Sequence, residues 1–233
     1  VSGEFRFRRG YNKSNPRKMV KVWAEKEMRN LMRLKQAGLR VPTPYFLKQH
    51  VLGMSFIGRE GWPAPRLKDA VLTENKYAEM YRECIIIMRT MYHKCRLVHA
   101  DFSEYNILYY KGHLWVIDVS QSVEHDHPNA LVFLRKDCKN IGDFFRRNGV
   151  MVMTTRMLFD FVTDLSLKDE DVDEYLEKIQ EKLSTEDDEK TTEEKAEEEV
   201  KDLVFQQAHI PRTLNEVVNA EREIFGKEEK GGR

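Results

Sequence analysis

The chain has 233 residues and a mass of 27.6 kDa, which is enough for one large domain or two small ones. Its 39 basic and 39 acidic side chains cancel to a net charge of zero, so the overall charge indicates neither a nucleic-acid nor a membrane partner. The distribution of charge says more. Residues 5–22 contain seven Lys/Arg and no acid, which is typical of a phosphate-facing patch, whereas residues 181–202 are dominated by acids.

The cysteine pattern and the absence of long apolar runs restrict the compartment. Cys84, Cys95 and Cys138 are far apart and have neither disulfide-framework nor zinc-site spacing, which favours a reducing environment. No apolar run reaches the ~18 residues that a membrane span needs, and no signal peptide opens the chain. We therefore expect a soluble, intracellular protein.

The first predicted elements are a helix and a pair of strands. Asn15-Pro16 is a helix start, with Asn as the cap, and apolar residues recur every three or four positions until Gly38 ends the helix. The segments Tyr45–Leu47 and Val51–Ile57 are then predicted to pair as strands that lead into a loop rich in Gly and Pro.

A second long helix is predicted after Thr73, which would act as its cap. Methionine and aromatic residues recur along it at helical spacing, and such a stripe is far more typical of a hydrophobic core than of a cofactor site. The helix ends near Cys95-Arg96, so the segment that follows should emerge at the mouth of the helical part of the molecule.

The most informative stretch lies between Leu97 and Asp118. It has the pattern His-x-Asp-x-x-x-x-Asn, then a predicted hairpin, then an apolar strand that ends in Asp. The residues that carry this pattern are His99, Asp101, Asn106 and Asp118. The hairpin is predicted from Ile107–Tyr109 and Leu114–Ile117, with its turn at Lys111-Gly112.

This order of residues matches the machinery of protein-kinase-like phosphotransferases. Transfer of a γ-phosphoryl group needs one carboxylate near the incoming nucleophile, and Asp101 fits that role. It also needs an amide and a second carboxylate to hold Mg²⁺ across the phosphates, which fits Asn106 and Asp118. The sequence thus indicates an enzyme that uses Mg²⁺ and ATP.

Beyond Asp118 the pattern predicts helices and one tempting motif. His-Asp-His within Glu124–Pro128 has too few accompanying ligands for a zinc site, so we interpret it as a structural loop in which Asp126 caps a helix that starts at Pro128. Helices are predicted at Ala130–Arg135, Asp137–Asn148 and Thr155–Thr163.

Two polar pairs on these helices, Lys136-Asp137 and Arg146-Arg147, are interpreted as surface or intralobe pairs, with contact to RNA as the alternative. From Leu165 the composition changes. Asp169–Leu183 is predicted to be one amphipathic helix, and Ser184–Lys201 an acidic, mobile run.

Two apolar segments, Leu203-Val-Phe and Ile210-Pro-Arg-Thr-Leu214, interrupt the polarity of the tail. Physical reasoning alone makes them a short docking segment that folds back or binds a partner.

The segments Val98–Ile107 and Val116–Pro128 resemble the RIO family of atypical protein kinases, specifically its Rio-one branch. The resemblance runs from Val1 through about Thr163 and reappears at Ile210–Val217. It implies an α+β, protein-kinase-like bilobal fold with a small lobe that is incomplete at its N-terminus and a mainly helical large lobe.

The resemblance also divides the chain into three parts. Residues 1–58 would be the partial small lobe, 59–165 the large lobe with its catalytic and metal-binding loops, and 166–233 an acidic, partly disordered C-terminal tail.

Further site residues follow only from the resemblance. Glu27 matches the acid on the αC-like helix that pairs with a strand lysine, and Ser103 stands where ordinary protein kinases have Lys. Met54 would guard the back of the nucleotide pocket. Ser55 and Ile57 would offer a backbone carbonyl and amide to adenine.

Two features depart from a complete kinase small lobe. Neither a Gly-rich phosphate loop nor the strand lysine can be identified, so we expect these strands to lie upstream and this chain alone to bind ATP poorly or not at all. Gly53 stands where a branched apolar residue is expected, which bears on strand stability and pocket shape.

The function that the resemblance implies is an atypical serine/threonine kinase and ATPase. Asp101 would be the proton acceptor, and Asp118 would also accept the phosphoryl group as an aspartyl-phosphate. Family members act in late cytoplasmic maturation of small ribosomal subunit precursors, so the expected partners are that particle's rRNA and assembly factors, without a membrane or DNA partner.

Two alternatives remain. Small-molecule phosphotransferases that resemble aminoglycoside and choline kinases share the His-x-Asp-x-x-x-x-Asn pattern, but Ala100 and Val119-Ser-Gln argue against them. A non-catalytic assembly factor that docks on a pre-ribosome is equally compatible with the basic residues near the N-terminus.

Overall fold

The computed structural model describes residues 16–189 and 192–208. Its mixed helices and short strands confirm the α+β class. In chain order the elements are α1 (Pro16–Gln36), β1 (Pro44–Lys48), β2 (Val51–Met54), β3 (Gly58–Arg59), β4 (Trp62–Pro63), α2 (Glu74–His93), β5 (Leu97–Val98), β6 (Ile107–Tyr110), β7 (His113–Val116), β8 (Val123–Glu124), α3 (Ala130–Arg147), α4 (Thr155–Thr163), α5 (Val172–Glu189) and α6 (Thr192–Gln207).

The strands pair antiparallel and two by two: β1 with β2, β3 with β4, β5 with β8, and β6 with β7. The β6–β7 hairpin is the predicted one, and its turn residues Lys111 and Gly112 both have positive φ, as a two-residue turn of the matching twist requires. The register places Ile107 opposite Val116, next to the loop that carries the polar motif.

The N-terminal part contains α1 and the β1–β2 pair. Helix α1 confirms the predicted helix, while its predicted cap Asn15 and the basic residues before it lie outside the described residues. Strand β2 ends at Met54 instead of the predicted Ile57. The reason is that the Ser55 N–H donates to the Thr43 carbonyl and the Ser55 hydroxyl accepts the Thr43 N–H, each at 2.8 Å, after which the chain turns away.

Gly53, the departure noted in the sequence, has a steric explanation. It pairs with Phe46 across the β1–β2 ladder, and a Cβ built on Gly53 would clash with the ring of Phe46. The glycine therefore gives the Phe46 ring room to lie over the strand, at the expense of the branched side chain expected there.

The hydrophobic core lies among α2, α3 and α4. The Thr73 hydroxyl accepts the Lys76 N–H at 3.4 Å and caps α2 as predicted. The methionine and aromatic stripe of α2 faces inward, which confirms that it is core. Its buried members are Met80, Tyr81, Cys84, Ile85, Ile87, Met88 and Met91.

Two details of the region after Asp118 were predicted wrongly. Residues 130–147 form the single helix α3, because Lys136 and Asp137 continue the helix between the buried residues Leu134 and Cys138. Asp126 does not cap it either. The N-cap is Asn129, without a side-chain cap bond, and its N–H donates to His127 Nδ1 at 3.1 Å.

Within the described residues, positions 184–189 and 192–201 are helical, where a mobile acidic run was expected. Helix α5 extends to Glu189, and α6 begins at Thr192 and packs against α3 and α4. Asp202 accepts the Thr155 hydroxyl at 2.8 Å and the Arg156 N–H at 3.2 Å, which caps α4 from a distant segment.

The predicted docking segment lies partly in this contact. Arg135 on α3 donates to the Phe205 carbonyl at 2.7 Å, so the segment around Leu203–Phe205 folds back on the large lobe. Ile210–Leu214 lies outside the described residues.

Two further observations concern membrane-spanning helices and the cysteines. No helix among residues 16–189 and 192–208 is both long and apolar enough to cross a membrane. The three cysteines are buried and free, and burial raises the pKa of Cys84, Cys95 and Cys138, so they are weakly reactive thiols.

Arg89 is the buried polar residue that joins α2 to the end of α4. It is 5% exposed, and its guanidinium donates to the carbonyls of Phe161 at 2.6 Å, Asp164 at 3.0 Å and Leu167 at 2.5 Å. These carbonyls include those left without a helical partner where α4 ends, so Arg89 serves as its C-terminal cap.

We expect Arg89→Met to lower the free energy of unfolding by about 3 kcal/mol, because it leaves buried carbonyls without a donor. Arg82→Met is the matched control on the same helix. Arg82 makes an exposed pair with Asp173, and its loss should change stability by less than about 1 kcal/mol. Urea unfolding measures both, and equal losses for the two variants would contradict the capping role.

Candidate active site

The loop that carries the motif begins on a buried histidine. His99 follows β5, is 2% exposed, and packs against the Phe102 ring with centroids 5.3 Å apart. Its Nε2 lies 3.2 Å from the Ile117 carbonyl, and only a protonated nitrogen can donate to that acceptor. Burial lowers the pKa of His99 below its ordinary range, so the ring is neutral and connects the loop to the end of β7.

Asp137 on α3 accepts two backbone hydrogen bonds from the same loop. Its carboxylate is 1% exposed and accepts the N–H of Ala100 at 2.9 Å and of Phe102 at 2.8 Å. The loop needs this support because Ala100 has a φ of 71°, in the left-handed region that side chains disfavour.

Of the two interpretations of Lys136-Asp137, a surface pair or an intralobe pair, the second is confirmed for Asp137, which is buried and bonds the loop at Ala100–Phe102 within the predicted large lobe. Burial raises its pKa to about 8, while its two N–H donors act in the opposite direction. Its position between buried Leu134 and Ile141 on the apolar face of α3 was the sequence signal available for finding it.

Asp101 and Asn106 are brought into direct contact. The Asn106 Nδ2 donates to the Asp101 carbonyl at 2.9 Å and to its Oδ2 at 3.0 Å, and the Asp101 side chain is exposed. The Asn106 N–H donates to the Ser103 carbonyl at 3.0 Å and closes the loop. Ser103 is buried at 8% exposure, and its assignment to nucleotide binding stays a prediction.

The β6–β7 hairpin then places Asn106 beside Asp118. The Ile117 N–H donates to the Asn106 carbonyl at 3.0 Å, one step beyond the ladder. Asp118 follows directly, is exposed, and has a φ of 57°; its Oδ1 accepts the Ser120 hydroxyl at 3.1 Å. A non-glycine residue with such a φ is often found at a functional site.

Helix α1 approaches the residue after Asp118 with two polar side chains. The Asn30 Nδ2 donates to the Val119 carbonyl at 2.8 Å, and the Glu27 carboxyl lies near the Val119 N–H. Burial, and then the charge of Asp118, raise the pKa of Glu27 to about 7 although the Val119 N–H lowers it. Glu27 is therefore not a simple exposed helix acid; its pairing with a strand lysine stays a prediction.

An open cleft of about 280 Å³ lies between α1, β2 and this loop. Its lining joins apolar side chains to the two acids. The lining residues are Val20, Trp23, Ala24, Glu27, Leu52, Met54, Asp118 and Ser120. Met54 thus forms part of the cleft wall, and its role as a guard of the nucleotide pocket stays a prediction.

The predicted adenine-binding backbone groups lie just after Met54. The Ser55 N–H and the Ile57 carbonyl are used, by Thr43 and Ala64 respectively. Among the described residues no hydrogen bond engages the Ser55 carbonyl or the Ile57 amide, which are the two groups that the resemblance assigns to adenine. Their role in nucleotide binding stays a prediction.

The donor set fits a magnesium ion that shares its ligands with phosphates. Because Asn106 Nδ2 makes two hydrogen bonds within the loop, its amide oxygen is the atom available to a metal, next to the Asp118 carboxylate. In the described part of the chain no group of three or more His, Cys, Asp or Glu is arranged as a metal site. Mg²⁺ is commonly held by one or two protein oxygens together with water and phosphate oxygens.

We expect Asp137→Asn to destabilise the protein by about 2 kcal/mol, because an amide nitrogen would face one of the two backbone N–H donors. Hydrogen exchange should accelerate at Ala100 and Phe102. Asp143→Asn is the matched control on α3: Asp143 pairs with Lys139 and Arg146 at the surface, and its loss should cost less than about 1 kcal/mol. Unchanged exchange at both amides in Asp137→Asn would exclude the clamp.

Comparison with known proteins gives one consistent family. A family model described as "RIO domain" matches residues 1–158. The chain is 56% identical over 233 residues to the serine/threonine-protein kinase rio1 of Dictyostelium discoideum, covering 100% of this chain and 40% of that protein. It is 58% identical over 225 residues to serine/threonine-protein kinase RIO1 of Homo sapiens, covering 96% of this chain and 39% of that protein. The chain thus spans about 40% of the length of these relatives.

Solved structures agree on the fold. The Rio2 kinase–ADP/Mg²⁺–phosphoaspartate complex from Chaetomium thermophilum superposes with a TM-score of 0.53 at 25% identity, over 68% of this chain and 51% of that one. The Rio2 kinase from the same organism gives a TM-score of 0.53 at 22% identity, over 74% of this chain and 60% of that one. These matches show that the chain belongs to the RIO family, has the RIO kinase fold, and is similar in type to the RIO1 members named above.

Proposed function

We propose that this chain provides the metal-binding and catalytic residues of a RIO1-type kinase and ATPase that uses Mg-ATP. The observation that carries the proposal is that hydrogen bonds join Asp101, Asn106 and the residue before Asp118, with Asp118 on the cleft wall. Asn106 bonds Asp101 directly, and the hairpin places Asn106 next to Asp118. The spacing that phosphoryl transfer needs in sequence is thus matched by proximity in space.

Each residue has a chemical role suited to its surroundings. Asp101 is exposed and fixed by Asn106, so it can orient or deprotonate an attacking hydroxyl or water. Asn106 and Asp118 would hold Mg²⁺, which when bound neutralises the phosphate charge. The residues therefore contribute mainly orientation and electrostatic stabilisation, as expected for a reaction with little covalent chemistry to assist.

The proposal includes a covalent route through Asp118. A carboxylate oxygen of Asp118 would attack the γ-phosphorus, the bond to the β–γ bridging oxygen would break, and ADP would leave with that electron pair. Water would then hydrolyse the acyl-phosphate to inorganic phosphate and restore the carboxylate. Support comes from the related Rio2 kinase, which was solved as an ADP/Mg²⁺–phosphoaspartate complex.

The proposed cellular role is late cytoplasmic maturation of the small ribosomal subunit precursor and its rRNA. It rests on membership in the RIO family. The proposed partners are the rRNA and assembly factors of that particle.

We expect the protein, expressed in its full reading frame and incubated with Mg²⁺ and γ-labelled ATP, to retain label that hydroxylamine releases. Asp118→Asn should abolish this label, because an amide is a far weaker nucleophile than a carboxylate. The measurement is label on the denatured protein before and after hydroxylamine.

Asp126→Asn is a suitable control, since Asp126 is an exposed acid on the segment that follows Asp118. It should leave the label unchanged. Hydroxylamine-resistant label on Ser or Thr would replace the acyl-phosphate cycle by conventional protein phosphorylation.

A second experiment separates catalysis from mere assembly. We expect Asp101→Asn to reduce turnover about 100-fold or more, as loss of a positioned base does, while pre-ribosome binding persists because the side chain is small and exposed. Accumulation of immature small-subunit rRNA is the measurement. Normal rRNA maturation in cells that carry only Asp101→Asn would favour a non-catalytic assembly factor.

A further inference from the structure

Helix α1 contacts the residue that follows Asp118. The Asn30 Nδ2 donates to the Val119 carbonyl at 2.8 Å. Asn30 is 1% exposed and the Val119 side chain is fully buried. A buried amide that bonds a backbone carbonyl 89 positions away in sequence is a specific contact, because leaving either group unpaired in the interior is unfavourable.

This contact adjoins the most constrained backbone of the site. Asp118 has a φ of 57°, which a residue with a side chain adopts only where neighbouring contacts hold it. On its N-terminal side, Ile117 is bonded to Asn106 and His99. On its C-terminal side, the Val119 carbonyl accepts the Asn30 Nδ2 and the Ser122 N–H, and the Ser120 hydroxyl donates to Asp118 Oδ1.

We infer that Asn30 is a positioning residue that sets the affinity of the Asp118 site for Mg²⁺. Through the Val119 carbonyl it fixes the direction of the Asp118 carboxylate relative to the amide oxygen of Asn106. The inference rests on the proposed function, because it assumes that Asp118 and Asn106 are the metal ligands. Residues that orient metal ligands commonly change metal affinity 10- to 100-fold when they are replaced.

The effect of Asn30 differs from that of a general attachment of α1. The same helix is also fixed by Arg33, whose guanidinium makes a two-pronged pair with Glu124 at 2.7 and 3.1 Å and donates to the Cys95 carbonyl. That contact lies on β8 and at the end of α2, away from the Val119 peptide. Arg33 therefore provides a control that weakens the attachment of α1 and leaves the Val119 contact intact.

The test uses the protein in its full reading frame and measures ADP binding by calorimetry with Mg²⁺ and with EDTA. The ratio of the ADP affinity in Mg²⁺ to the ADP affinity in EDTA is called the Mg²⁺ gain. We expect Asn30→Leu and Asn30→Ala, neither of which can donate to the Val119 carbonyl, to reduce this gain about tenfold. ADP affinity in EDTA should stay within about twofold of the original protein. Hydrogen exchange in residues 118–122 should accelerate in both variants.

Arg33→Met should lower the melting temperature while the Mg²⁺ gain and the exchange of residues 118–122 stay unchanged. If Arg33→Met reduces the Mg²⁺ gain as much as the Asn30 variants do, Asn30 acts only through helix attachment and the inference is overturned. It is equally overturned if Asn30→Leu, whose side chain branches at the same carbon as that of Asn, alters neither the gain nor the exchange.

Failure of the proposed function gives a different result. In that case the original protein would show no Mg²⁺ gain, or Asp118→Asn would retain it in full, and the metal-affinity part of the inference would fall with it. Accelerated exchange in the Asn30 variants would then show a backbone role alone.

Discussion

The buried carboxylate of Asp137 is the contact on which the arrangement of the site most depends. The segment Ala100–Phe102 belongs to no helix or strand, so its N–H groups have no regular partners, and Ala100 has a left-handed conformation. Two hydrogen bonds to one carboxylate at 2.8 and 2.9 Å replace the missing secondary structure. Because Asp137 is part of the long helix α3, its hydrogen bonds attach the residues on either side of Asp101 to a regular helix.

The other two residues of the site depend on different elements. The β6–β7 ladder fixes the spacing of Asn106 and Asp118, and α1 holds the peptide that comes next. Elements that are distant in sequence therefore contact neighbouring residues of the site. This arrangement is expected when exposed ligands must be preorganised by buried neighbours. In the proposed mechanism the exposed acids perform the chemistry, and the buried residues Asn30, His99 and Asp137 bond the segments that carry them.

The parts of this structure that sequence could predict are those encoded locally. The hairpin follows from alternating residues around Lys111-Gly112, and α2 from its cap and its apolar period. Asp137, Asn30 and Arg89 were not predictable in the same way, because a single polar residue on an apolar helix face does not name its partner. The sequence predicted a helix break at Lys136. It did not show that Asp137 is buried, because that burial depends on a loop 35 residues earlier.

The conformation of Asp118 can be judged by comparing strain with restraint. A left-handed residue with a side chain costs about 1–2 kcal/mol, and Asp118 is exposed, so its own burial does not compensate. Four hydrogen bonds on its neighbours oppose any rotation: the Ile117 N–H donates to Asn106, the Ile117 carbonyl accepts His99 Nε2, and the Val119 carbonyl accepts both the Asn30 Nδ2 and the Ser122 N–H. At about 1 kcal/mol each they outweigh the strain by roughly 2 kcal/mol, or about 30-fold in population. The unusual backbone of Asp118 is thus held in place by the hydrogen bonds of the residues on either side of it.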